Sequence, residues 1–496
     1  MKFDRALHRA ARVAVAATAL SLIGAPGAHA SAQCSGTDAP WPGYSGPGLG
    51  ARHQTDTTID PAAASTLATS WAFNTESSSG GTIQSTPIVA GGCVIVATDN
   101  GSILALTLDG DFAWGYKVIP GGPTGLGGTI VGSPAIFGDK VVVGVGRATT
   151  PFVVAVNLVD GAFAWQTTID DHPGNFISAS PVVTGDLLFM GIAGDEYGTT
   201  ARGGYAFLDA DGDLVERMYT IDDAEYAAGY RGASIWSTGA YDPASKHVFV
   251  GGGNPARKTL EHRYSNALLK IDADPLSPTF AEVVDAYKGN TDQYYPGLDQ
   301  QPVCQNFGES QPEIPQYPWS VACVQFDIDF GASPSLWHND AGELFLGDLQ
   351  KSGIYHTVHA DNMQLAWTSV MPGTPCFVCN ASSPATDSEQ VYAVGSLGGA
   401  LTAVTADGGK YRWVLPIADG VHFQSVTTAN GVVYTTTSHG LLIAADATNG
   451  VPLSVKSYQQ ETGTNEVGLL SSGVSVAGDQ VFAALGNTLL VLSPAT

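Results

Sequence analysis

The chain has 496 residues, a formal net charge of −25, 44% hydrophobic residues, 60 glycines and 28 prolines. So acidic a chain has no electrostatic reason to bind nucleic acid or an anionic membrane surface, because counterion release needs clustered Lys and Arg. Abundant Gly and Pro with little long helical periodicity argue against a helical fold.

Residues 1–30 read as an export signal. Lys2, Arg5, Arg9 and Arg12 form a basic start, an Ala/Val/Leu stretch follows, and Ala28-His29-Ala30 offers the small residues that a signal peptidase reads. The stretch is too short and alanine-rich for a good membrane anchor, so no membrane span is expected and the mature domain, 31–496, is placed in the periplasm or outside the cell. Removing four basic residues and Asp4 leaves a charge of about −28. Gln33 before Cys34 does not fit a lipoprotein cleavage site.

Six cysteines suit an oxidising compartment. Sequence leaves their pairing open; Cys304 with Cys323 and Cys376 with Cys379 are the favoured pairs. The CFVC at 376–379 is followed by Asn380 rather than His, so covalent haem is not expected.

From residue 85 a repeat dominates. STPIVAGGCVIVATDNGSILALTLDGDFAWGY (85–116) and GSPAIFGDKVVVGVGRATTPFVVAVNLVDGAFAWQT (132–167) each give a small residue and Pro, a short strand, a Gly turn, a Val-rich strand, a third strand, DG, and a strand reaching Trp. Four short strands joined by tight turns make one propeller blade. Five more copies follow, and a last partial copy at 473–496 stops one strand short. LATSWAF at 67–73 would supply the missing strand, pairing the N- and C-terminal strands and closing the ring. The predicted fold is therefore all-β, one eight-bladed β-propeller of four-stranded antiparallel blades.

Insertions near 255–266 and 288–322 are long for a compact β protein, which suggests functional or lid-like loops. LDADGDL at 208–214 is partly like a calcium-binding EF-hand loop but lacks flanking helices and sits where other blades turn at DG, so it reads as a hairpin. GGPTGLGG at 121–128 lacks the strand-helix unit of a dinucleotide site. In VQFDIDFGASP (324–334), Asp327 and Asp329 would share one face of an extended segment, about 7 Å apart. Two carboxylates on a half-buried face need a cation or hydrogen-bond donors nearby.

These motifs together resemble the pyrroloquinoline quinone (PQQ)-dependent alcohol dehydrogenases, and among them the polyvinyl alcohol dehydrogenases. The resemblance covers nearly all of the mature chain, beginning with WPGYSGPGLGARHQTDTTIDPAAASTLATSWAF (41–73). It implies a cofactor contact at Ser178 in DDHPGNFISASPVV, cofactor and Ca²⁺ contacts at Gly194, Asp195 and Glu196 in GDEYGTTARGGY, and cofactor contacts at Ser234 and Trp236 in GASIWSTG, with Trp236 as the floor under PQQ. It further implies Asn254 as a metal ligand in GGGNP, Asp327 as catalytic base and metal ligand, and Lys351 in GDLQKSG at the reactive carbonyl of the cofactor. Gln84 stands where several relatives carry Glu, Ala193 where Ser is frequent, and Phe326 where Trp is usual. Asp329 matches an extra aspartate that adds charge for a lanthanide in some relatives; Ca²⁺ is ranked first and a structural role for Asp329 stays open.

A flat tricarboxylated quinone needs a stacking surface, donors for its carboxylates and a Lewis acid, and a hard divalent ion takes oxygen ligands. The resemblance therefore implies an exported dehydrogenase that passes hydride from an alcohol, including polymeric secondary alcohols, to PQQ, with a separate cytochrome c or similar carrier taking the electrons. The competing expectation is a propeller without catalysis that serves as a binding or envelope-assembly scaffold.

Overall fold

The computed structural model describes residues 33–78, 80–118, 128–146, 150–194, 200–256, 261–290, 328–372, 381–395, 399–417, 422–464 and 472–495. The predicted leader, Asp195, Glu196, Asp327, most of the glycine run at 121–128 and both favoured cysteine pairs lie outside these residues.

Repetition of the short Val- and Ile-rich strands becomes eight separate antiparallel sheets. Blade 1 runs Ile88–Ala90, Cys93–Ala97, Ser102–Thr107 and Phe112–Lys117. Its second strand is buried at every residue, whereas in the fourth Trp114 alone is buried, so hydrophobicity declines from hub to rim. Blade 4 runs Ala240–Asp242, His247–Gly251, Ala267–Asp272 and Val283–Lys288, and blade 5 runs Ser335–His338, Leu344–Leu349, Ile354–His359 and Leu365–Val370. The last blade takes Leu67–Asn74 as its outer strand, antiparallel to Thr488–Pro494. The two chain ends close the ring as the repeat count requires.

Around the hub, the small residue before each first strand has a specific task. Thr86, Ser133, Ser180, Thr238, Ser333, Ser383, Ser425 and Ser472 each stand two positions before the first strand of a blade, and all are buried. The amide of one accepts no sheet partner there, so it donates to the hydroxyl of the next blade: Ser133 N to Ser180 Oγ at 2.8 Å, Ser180 N to Thr238 Oγ1 at 3.0 Å, Thr238 N to Ser333 Oγ at 3.0 Å, Ser333 N to Ser383 Oγ at 2.9 Å. A belt of hydroxyls thus joins blades 2 to 6.

The N-terminal segment 41–54 completes the circuit. Trp41 pairs with Val89 in blade 1, the Pro42 carbonyl accepts from Ile136 in blade 2, Ala51 O accepts from Thr386 in blade 6, and His53–Gln54 runs parallel to Thr428–Ala429 in blade 7. The segment crosses the hub as a strap, anchored near its start by the Cys34–Cys93 disulfide. The Tyr44 hydroxyl lies 2.7 Å from Ser383 Oγ and 2.5 Å from Ser425 Oγ, bridging blades 6 and 7. Arg52, 1% exposed, donates to Val426 O at 2.7 Å and Thr427 Oγ1 at 3.1 Å in blade 7, Val474 O at 3.3 Å in blade 8 and Thr86 Oγ1 at 3.4 Å in blade 1.

Toward the rim, the repeated DG-to-Trp pattern is a docking device. Trp71, Trp114, Trp165, Trp367 and Trp413 each donate the indole N–H to a carbonyl in the turn of the following blade, at 2.8–3.2 Å. The ring then lies against a turn residue with positive φ: Gly110, Gly161, Gly212, Gly409 and Gly450 respectively. A methyl at Gly161 would stand 2.5 Å from Trp114 Cε3, so glycine is required by the ring as well as by φ 67°. Blades 3, 4 and 7 have no Trp in their outer strands, and after blades 3 and 4 the matching turn residues are Ala281 (φ 64°) and Met363 (φ 53°). Gly161→Ala should therefore lower stability by roughly 2–4 kcal/mol, whereas Ala281→Gly should change it by less than about 1 kcal/mol. Equilibrium unfolding in urea checks both, and equal effects would remove the docking explanation.

Candidate active site

Counting back from the belt fixes where the candidate side chains arise. Gln84, Ser178 and Trp236 occupy the same register, two residues before the belt hydroxyl in blades 1, 3 and 4. They therefore gather at one end of the hub. In blade 5 that register holds Gly331, and the reason is contact: a Cβ there would lie 2.8 Å from Trp236 Cη2 and Cζ2 and 3.0 Å from Lys351 Cε. The indole of blade 4 reaches across to rest on blade 5.

Asp329 organises this contact. Its Oδ2 accepts the Trp236 Nε1–H at 2.8 Å, and its Oδ1 lies 2.8 Å from Lys351 Nζ. The Lys351 backbone N–H donates to the Asp329 carbonyl at 3.0 Å, and the ammonium sits 4.7 Å from the centre of the Trp236 ring. Asp329 is 1% and Lys351 6% exposed, while Trp236 is half-buried. Three of the residues singled out in the sequence therefore meet. Ser178 joins them through its hydroxyl, which donates to Trp236 O at 2.9 Å.

Ser234 and Gly194 form a second contact between blades 3 and 4, Gly194 N donating to Ser234 Oγ at 2.9 Å. Ser234 O in turn accepts from Gly253 N at 2.7 Å, and Asn254 O accepts from Ala233 N at 2.9 Å. Backbone approach is close enough that a Cβ on Gly232 would stand 2.2 Å from Asn254 O. Asn254 is thereby held, buried, just beyond the second strand of blade 4. Gln84 is half-buried; its amide nitrogen bonds Asp99 Oδ2 at 3.2 Å, and its Oε1 has no hydrogen-bond partner. Among the described residues no three His, Cys, Asp or Glu side chains converge as a metal cage. Of the predicted metal set the described residues contain Asn254 and Asp329, with Glu196 and Asp327 outside them.

Sequence reasoning missed the buried polar layer behind Asp329. Asp348 and His356 face each other across strands Leu344–Leu349 and Ile354–His359. Burial, followed by the charge of Asp329, pushes the Asp348 carboxyl well above its ordinary range, despite a hydrogen bond from Leu349 N. Burial also pushes His356 down to about 4, and its Nδ1 lies 3.0 Å from the Tyr287 hydroxyl. The signal in the sequence was a single aspartate near the end of the otherwise apolar LFLGDL and a histidine in IYHTVH.

The family model PQQ_2, described as "Outer membrane protein assembly factor BamB", matches residues 65–203 and 339–496. A polyvinylalcohol dehydrogenase of Pseudomonas sp is 25% identical over 90% of this chain and 73% of its own length. The quinoprotein alcohol dehydrogenase PedH of Pseudomonas putida is 27% identical over 28% of each chain. In fold, the quinohemoprotein alcohol dehydrogenase of Comamonas testosteroni superposes with a TM-score of 0.69 at 17% identity, covering 91% of this chain and 80% of that one.

The depressed pKa of His356 yields a measurable consequence. Between about 6.5 and about 4 the unfolded chain holds the proton that the folded chain refuses, so this contribution to stability is full above that window and falls as pH drops through it. Asp348 acts in the opposite sense, its folded form keeping a proton that the unfolded form releases as pH rises. His356→Gln should flatten the stability–pH curve in the window by up to ~1.4 kcal/mol per pH unit relative to wild type. Urea unfolding between pH 4 and pH 7 reads the difference, and parallel curves would remove the assignment.

Proposed function

Because the chain belongs to the PQQ-repeat quinoprotein propeller family, we propose that it is a PQQ-dependent dehydrogenase that oxidises alcohol groups. The carrying observation is the junction of blades 4 and 5, where a half-buried indole face and a buried lysine are fixed side by side. The residues present fit such a group. Trp236 offers a flat apolar surface for a planar ring, Lys351 a cation 4.7 Å from the centre of the Trp236 ring, Ser178 a hydroxyl, and Gln84 a buried oxygen without a hydrogen-bond partner. Asn254 supplies an amide oxygen, and with Glu196 and Asp327 it makes an all-oxygen donor set suited to Ca²⁺ or, with more charge, a lanthanide. Bound PQQ supplies the two-electron acceptor, and the ion supplies Lewis acidity.

The chain's own residues do the rest. Asp327 accepts the hydroxyl proton of the alcohol, as a carboxylate held beside the substrate can. Lys351 keeps positive charge where negative charge develops, with little reorganisation because its ammonium is already fixed by Asp329. Trp236 sets the plane, and the inter-blade contact of Gly194 with Ser234 keeps the neighbouring wall in place. The strap of residues 41–54 packs across the hub, leaving the Trp236 end as the side from which substrate enters. Secondary hydroxyls of a polymer such as polyvinyl alcohol are the proposed substrate class, from the 25% identity to a polyvinylalcohol dehydrogenase. Export to the periplasm or beyond and electron transfer to a separate cytochrome c complete the reading.

A second reading, an envelope-assembly scaffold, draws on the description of the matching family model. Purified protein given PQQ and Ca²⁺ distinguishes the two. The enzyme reading expects a quinone absorption band, alcohol-dependent dye reduction, and an Asp327→Asn variant that keeps the band and loses turnover by at least about 10²-fold. No band at saturating cofactor favours the scaffold, and a fully active Asp327→Asn removes the base.

A further inference from the structure

We infer that Asp329 is a positioning residue, whose carboxylate locks the Trp236 indole and the Lys351 ammonium into one rigid unit. The proposal rests on the quinoprotein reading for its purpose but on this structure for its geometry. Each carboxylate oxygen has its own partner: the indole N–H from blade 4 hydrogen-bonds Oδ2 and the ammonium from blade 5 forms an ion pair with Oδ1, both at 2.8 Å. The triangle is closed by the ammonium 4.7 Å from the ring centre and by the backbone bond from Lys351 N to Asp329 O. Gly331, two residues on, leaves room for the ring and the Lys351 stem together.

Physical cost argues for the same role. A carboxylate 1% exposed is tolerated when opposite charge and donors surround it, and the indole hydrogen bond on one oxygen with the ammonium against the other meets that need. A metal ion would have to approach oxygens already facing an ammonium and an indole N–H, with repulsion between the two cations. A rigid clamp, by contrast, gains from both partners, since it fixes the ring plane and the cation before any cofactor arrives. In this division of work Asp329 positions the ring and the ammonium, and proton transfer is assigned to Asp327, two residues earlier in sequence.

The test uses the full chain with ¹⁵N-labelled tryptophan, the Trp236 indole signal being the one that disappears in Trp236→Phe. In the apoprotein, Asp329→Asn should speed exchange of that indole proton by at least about tenfold, because an amide cannot serve both donors. Unchanged exchange overturns the proposal, and Lys351→Met, which loosens the clamp from its other side, should give a smaller increase if Asp329→Asn does not fold. Titration with PQQ then reads coupling: Asp329→Asn should weaken binding about tenfold in the wild-type background but less than about threefold in Trp236→Phe. Additive losses overturn the clamp. So does a hundredfold loss of Tb³⁺ affinity in PQQ-saturated Asp329→Asn with the indole signal unmoved, which would make Asp329 a metal ligand. A wild-type chain that takes up no PQQ sinks the proposed function, while the indole exchange still decides the clamp.

Discussion

Everything at the hub depends on one hydrogen bond repeated around the ring, from the backbone amide before a blade to the hydroxyl of the next blade. That amide precedes the sheet and has no ladder partner, so burying it unpaired would be costly. A serine or threonine from the adjacent blade satisfies it at the cost of one small side chain. Because the bond fixes backbone rather than side chain, it sets the register of the residues immediately before it. Ser178 and Trp236 stand at one end of the hub because each lies two positions before a hydroxyl of the belt, and Gln84 holds the same register before Thr86, which Arg52 bonds instead.

Where the belt would pass through blades 7, 8 and 1, the strap takes over. Arg52 is a buried cation with no carboxylate partner among the described residues, and burial lowers its pKa to about 10 even though Tyr44 opposes the shift. What makes that charge tolerable is a ring of carbonyl and hydroxyl oxygens from blades 7, 8 and 1, together with the Tyr44 ring 4.7 Å away. A segment that precedes the first blade thus ties the last blades to the first, adding to the strand pairing at the rim. The disulfide from Cys34 to Cys93 fastens the same segment to blade 1.

Legibility in the sequence followed distance along the chain. Blade number, strand order and ring closure could be read because each blade is local and its turn chemistry recurs every few tens of residues. The positions of Ser178, Ser234 and Trp236 could be read for the same reason, since each is anchored to a short motif. Two negative charges at Asp327 and Asp329 signalled a nearby cation. Which cation it was could not be read, because Lys351 reaches Asp329 through a turn in another part of the blade and Trp236 through the neighbouring blade. The Cys34–Cys93 bond and the strap across the hub were hidden likewise, as their partners are set by ring closure rather than by spacing.

The seam beneath the site is one of the places where the rim device is absent, the junction from blade 7 to blade 8 being another. Five blades dock a tryptophan on a glycine turn of the next, but the junctions from blade 3 to 4 and from 4 to 5 use single polar tethers instead: Tyr205 Oη to Ala281 O, and Lys270 Nζ to Asp361 O, each at 2.7 Å. A docked indole buries a large apolar surface and holds two blades at one separation. Between blades 3 and 4 the tether is backed by apolar packing, with the ring centres of Phe207 and Phe280 5.1 Å apart. At these junctions the compensating contacts lie at the hub, in the Ser234–Gly194 bond and in the Asp329 clamp across Trp236 and Lys351. In blade 4 the tryptophan stands before the first strand, half-buried at the hub, rather than in the outer strand at the rim.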